Sequence, residues 1–105
     1  MENTIDKIDL EIKKTKEHIR RLKRKKEDLI DAINSAKEKL DERQSLKKSA
    51  DSAERLSYRE AELNYFSLNY YFESIKTAIL FENDKLDRLL KSKESMSIPS
   101  ESQPE

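Results

Sequence analysis

The sequence contains no cysteine, no glycine, no tryptophan and no valine, and its two prolines both fall within the last seven residues. Each absence removes a class of chemistry. Without cysteine there is no disulfide framework, no thiolate metal site and no thiol nucleophile. Without glycine there is no P-loop and no dinucleotide-binding turn, because both need backbone that approaches phosphate without a Cβ. A single histidine, His18, cannot assemble a multi-histidine metal site. No apolar run reaches the roughly 18–20 residues of a membrane span. The N-terminus also lacks an apolar signal core, so an intracellular location, cytoplasmic or nuclear, is expected.

What the chain has in excess is charge. Of its 105 residues 42% are charged, against about 25% in an average soluble domain. Lys and Arg number 22 and Asp and Glu 22, so the formal charge is zero. The balance conceals a gradient: residues 1–48 carry 15 basic and 11 acidic side chains (+4), and residues 49–105 carry 7 and 11 (−4). Halves of opposite sign suit antiparallel neighbours. Ile, Leu and Phe supply 24 residues, about 23%, close to the roughly 20% below which chains stay disordered. Their placement is therefore decisive.

In the first half the apolar positions step by three and four: Ile5, Ile8, Ile12, Thr15, Ile19, Leu22, Lys26, Leu29, Ile33, Ala36 and Leu40. This unbroken heptad predicts a helix over about 4–43 with a narrow coiled-coil seam built on Ile5, Ile8, Ile12, Ile19, Leu22, Leu29, Ile33 and Leu40. Asn3 or Thr4 is the expected N-cap. Away from the seam nearly every residue is charged, and Asp9/Lys13 and Glu17/Arg21 have the spacing of stabilising i,i+4 pairs. Lys26 on the seam either sets register at a cost in stability or lays its stem along the seam with its ammonium in water.

Residues 44–52 break this register and collect serines, predicting a turn. Asp51 and Glu54 have capping-box spacing, and Ser57 with Glu60 offers a second start. One continuous helix of nearly 90 residues is the alternative to a hairpin. A second helix is predicted over about 52–93, and together they form a helical-hairpin domain over 1–94. The Ser- and Pro-containing stretch 95–105 reads as a disordered tail.

All seven aromatic residues lie between Tyr58 and Phe81, and at 100° per residue the apolar positions there separate into two stripes. One holds Tyr58, Ala61, Tyr65, Leu68, Phe72, Ile75, Ile79, Leu86 and Leu89. The other, nearly opposite, holds Leu56, Leu63, Phe66, Tyr70, Thr77 and Phe81. A helix packed on one partner needs only one stripe. The all-α fold expected is therefore a long antiparallel coiled-coil hairpin, completed as a multi-helix bundle by oligomerisation or a partner chain. Leu63, Phe66, Tyr70 and Phe81 are its expected protein interface.

Over 13–26 nine Lys/Arg accompany one glutamate. These charges encircle the predicted helix without interleaved aromatics, and pairing with acidic residues of the second helix or of a partner is the expected role. The alternative is contact of this cluster with nucleic acid or phospholipid. The competing function is a nucleic-acid-associated regulator that uses the basic segment 20–26, with Arg20, Arg21, Lys23 and Arg24 as the nucleic-acid contacts. His18 fits no metal or catalytic spacing and is expected to be exposed, and the scattered carboxylates suggest no pocket that would tune them. No catalytic residue, cofactor, metal or small-molecule substrate is expected. These features describe a non-enzymatic interaction module, a structural, scaffold or chaperone-like subunit of a larger assembly, whose partner is itself or another helical protein.

Overall fold

The computed structural model describes residues 4–97. It is an all-α helical hairpin: α1 spans Thr4–Glu42, a 3₁₀ turn spans Gln44–Leu46, and α2 spans Ser52–Ser97. The register break after Leu40 thus ends the first helix, and the continuous-helix alternative is not what the chain adopts. Helix α2 runs four residues past its expected end, so residues 95–97 are helical and not tail. The rest of the expected disordered tail, and Asn3 as a cap, lie outside the described residues.

The chain divides into two compact units. One joins the N-terminal part of α1, up to Lys23, to the C-terminal part of α2, from Ala78. The other holds residues 24–77 and includes the turn. In the first unit Ile12, Thr15, Ile19, Leu22 and Ile79 are buried, with Ile5, Ile8, Leu86 and Leu89 half-buried beside them. Pairs that tie the helices include Asp9 with Lys93 (2.6 Å), Glu11 with Lys85 (4.0 Å) and His18 Nδ1 with Glu82 (3.3 Å). Residue numbers rise on α1 as they fall on α2, which is the antiparallel sense. Asp9 therefore reaches across the hairpin and leaves Lys13, its expected i,i+4 partner. The Glu17/Arg21 pair is likewise not formed among the described residues. His18 is exposed, as expected, but it has the cross-helix partner that spacing alone could not reveal.

In the second unit Leu29, Ala36, Tyr58, Ala61 and Ile75 are buried, and Ile33, Leu40, Tyr65, Leu68 and Phe72 are half-buried. Lys26 is half-buried on the seam. Nowhere among the described residues is a large side chain completely enclosed. Two helices in contact shield one stripe each, so every seam residue keeps an edge toward solvent.

The turn is made without glycine, and no described residue has a positive φ. Arg43 (φ −94°, ψ 5°) leads into the 3₁₀ turn, whose amides bond in sequence: Leu46 N–H to Arg43 O (2.9 Å), Lys47 N–H to Gln44 O (3.3 Å) and Ser49 N–H to Leu46 O (3.1 Å). The Arg43 guanidinium then crosses to Ser57 O on α2 (3.2 Å), closing the hairpin. Lys47 lies 5.7 Å from the centre of the Tyr58 ring.

The start of α2 is capped at Asp51 and not at Ser57. The Asp51 carboxylate accepts the Ala53 N–H (2.9 Å), satisfying an otherwise orphaned helix donor. The reciprocal arm of the capping box is relayed: the Asp51 N–H donates to Ser49 Oγ (3.1 Å), and the Ser49 hydroxyl donates to Glu54 (3.0 Å). Arg55 adds a bond to Ser49 O (2.6 Å). Replacing Asp51 with Ala is expected to cost about 1 kcal/mol. For a chain of this size that lowers the thermal midpoint by roughly 4–8 °C. Thermal unfolding followed by far-UV circular dichroism reads it; an unchanged midpoint would mean that Ser49 and Arg55 hold the turn without the cap.

Candidate functional site: the outward face of the second helix

The seam positions of α2 recur as a heptad through Tyr58, Tyr65 and Phe72 and through Ala61, Leu68 and Ile75, and all of these are buried or half-buried. The side of α2 turned away from α1 in the second unit carries a second 3–4 series: Leu56, Arg59, Leu63, Phe66, Tyr70 and Glu73. Its apolar members stand in solvent: Leu56 and Phe66 are 57% exposed, Leu63 51% and Tyr70 79%. Tyr71, at the edge of this face, is also exposed, and neither stripe read from the sequence contained it. Of the four interface residues expected from sequence, Leu63, Phe66 and Tyr70 therefore share one exposed face of this unit.

Phe81, the fourth, lies in the first unit and is exposed there, as is its neighbour Leu80. Leu80 was missed by the sequence reading. The available signal was its spacing of fourteen residues, close to four helical turns, from Phe66.

Few charges interrupt the face. From Leu63 to Thr77 only Glu73 and Lys76 are charged, and they pair with each other (3.0 Å). Arg59 pairs with Glu62 (3.2 Å) in the same i,i+3 sense. Local bonds keep the backbone beneath the face regular, with the Asn69 amide on Tyr65 O (2.8 Å) and the Ser74 hydroxyl on Tyr70 O (3.1 Å). The Phe66 ring rests against Tyr65 (centroids 6.0 Å apart, tilted 46°), which ties the outward stripe to the seam.

The candidate nucleic-acid residues sit on α1. Arg20, Arg21 and Lys23 are exposed in the first unit, and Arg24 is exposed in the second. The expected neutralisation by the second helix does not occur: among the described residues none of the four makes an ion pair. An open depression of about 290 Å³ lies along α1 in the first unit, lined by Asp9, Ile12, Lys13, Lys16, Glu17 and Arg20. Among the described residues no cluster of three or more metal-ligating side chains occurs. Nor is any described helix long and apolar enough to cross a membrane.

The fold is a helical hairpin whose second helix carries an exposed apolar face in the second unit. No protein-family model matches the chain, and neither a curated protein nor a solved structure matches it.

Proposed function

We propose that this protein is a non-enzymatic coiled-coil docking module, a structural, scaffold or chaperone-like subunit of an intracellular helical assembly. It engages a second copy of itself through the outward face of α2. The observation that carries this reading is the exposure of Leu63, Phe66 and Tyr70 on a face with no uncompensated charge. Taking about 200 Å² per ring residue, Phe66 and Tyr70 alone leave roughly 270 Å² in water. With Leu56, Leu63 and flanking atoms counted on both copies, the buried area is on the order of 1,000 Å², the lower bound for a specific interface.

Charge placement favours a second copy as the occupant. Arg59 stands seven residues before Phe66 and Glu73 seven after it. An antiparallel copy related by a two-fold axis near Phe66 brings Arg59 of each chain to Glu73 of the other, giving two equivalent pairs in an isologous contact. Leu63 and Tyr70 meet across the same axis.

Light scattering after size exclusion tests this directly. The wild-type chain is expected to run as a dimer, and the double variant Phe66→Glu, Tyr70→Glu as a helical monomer. Arg59→Glu and Glu73→Arg are each expected to weaken the dimer, and their combination to restore it. A wild-type monomer at all concentrations would remove the second copy as occupant and turn the face toward another helical chain. A dimer that survives the double substitution would show that the face is not the interface.

A further inference from the structure

One flank of α1, beside its seam, is strongly basic, and the docking reading leaves it unused. Within the first unit Lys13, Lys16, Arg20 and Lys23 follow one another at intervals of three, four and three residues. At 100° per residue they fall within one 80° sector of α1. At 1.5 Å per residue the row is about 15 Å long. All four are exposed, and Lys14 and Arg21 flank the row, also exposed.

None of these six cations forms an ion pair among the described residues, although the chain has 22 acidic side chains. Register explains why. Because His18 meets Glu82 and Asp9 meets Lys93, Arg20 to Lys23 run beside the stretch from Ala78 to Phe81, Ala-Ile-Leu-Phe, which carries no charge. The acids just beyond are already engaged, Glu82 with His18 and Asp84 with Arg88. Asp9, at the head of the depression beside the row, is held by Lys93. Two acids near the row form no ion pair among the described residues, the half-buried Glu17 on α1 and the exposed Asp87 on α2, level with Lys13. The fold thus leaves these cations outside any ion pair among the described residues.

The geometry points to a binding row for the phosphate backbone of nucleic acid, made by Lys13, Lys16, Arg20 and Lys23 on α1. A straight series of four unpaired cations matches a linear polyanion, whose phosphates each release counterions on contact. Base reading is not built in, since the row has no aromatic ring to stack and no Asn or Gln to read base edges, so binding is independent of sequence. An anionic membrane surface is the less suited partner. Interfacial helices insert an apolar face, and the apolar residues of this segment, Ile12, Ile19 and Leu22, are buried on the seam.

Fluorescence anisotropy of the full chain with a labelled DNA duplex of about 20 base pairs tests the row. Four phosphate contacts predict a slope of about −3.6 for log Kobs against log salt, so affinity falls roughly a hundred-fold between about 50 and about 200 mM salt. Two unrelated duplex sequences are expected to bind equally. The quadruple variant Lys13→Gln, Lys16→Gln, Arg20→Gln, Lys23→Gln keeps good helix formers on an exposed face. Its far-UV helicity is expected to match the wild type while binding falls at least ten-fold and the salt slope collapses. Glu17→Gln is expected to tighten binding. Phe66→Glu with Tyr70→Glu should leave binding per chain in place, which separates this row from the α2 face. Absent or salt-insensitive binding by the wild type, or undiminished binding by a helical quadruple variant, would overturn the assignment. So would binding to phosphatidylserine vesicles without binding to the duplex, which would transfer the row to lipid.

Discussion

Leu22→Ala is expected to lower the stability of the hairpin by about 2–4 kcal/mol, whereas Leu10→Ala in the same helix changes it by less than about 0.5 kcal/mol. Both replace leucine with alanine in α1, and alanine is if anything the better helix former. The difference lies in where the side chains point. Leu22 is 6% exposed on the seam and Leu10 is 52% exposed off it. Removing Leu22 takes away its transfer free energy and leaves a void between two helices that have no third element to collapse into it. At 4–8 °C per kcal/mol this is a fall in thermal midpoint of roughly 10–25 °C, measured at fixed protein concentration because association would also raise the midpoint. Equal midpoints for the two variants would mean that α1 and α2 do not pack through this seam.

Thr15→Val is expected to raise stability by about 1–2 kcal/mol. Thr15 is the most buried side chain described, 2% exposed, and its hydroxyl has no hydrogen-bond partner. Valine has nearly the same shape, so the change removes an unsatisfied polar atom from an apolar seam without opening a cavity. Thermal unfolding reads the result, and a fall in midpoint would show that the hydroxyl is bonded in solution. This position also bears on assembly. A polar atom in a two-helix seam lowers stability at a site where Ile or Leu would serve, and replacing it tests whether the hairpin gains stability without altering its mass in solution.

Much of the architecture was legible because a heptad is a geometric statement. Residues spaced by three and four share one side of a helix, so the buried set of α1, including Ile12, Ile19, Leu22 and Leu29, follows from counting. The opposed stripes of α2 were visible for the same reason. What spacing could not supply was the offset between the helices. Asp9 has Lys13 at i,i+4, yet its carboxylate is 2.6 Å from Lys93. That choice depends on which residues the other helix presents at that height. The capping box shows the same limit: Asp51 and Glu54 had the right spacing, but Ser49 from the preceding turn sits between them.

The candidate faces divide in the same way. The apolar character of Leu63, Phe66 and Tyr70 is a property of the chain, and so is the abundance of cations from Lys13 to Lys26. Their exposure is a property of the fold. Two helices in contact cover one stripe each, and the longer α2 series, Tyr58 to Leu89, takes the seam. Arg20 and Lys23 of the basic row stay unpaired because the antiparallel register sets them beside Ala78 to Phe81. The amino-acid sequence by itself determined the helical class, the seams and the two opposed stripes, since these depend only on the angle between successive residues. The structure decided that the chain breaks into two helices. Only the tertiary structure decided which charges find partners, that Thr15 is left with none, and which faces remain open, because those depend on how far one helix is displaced along the other.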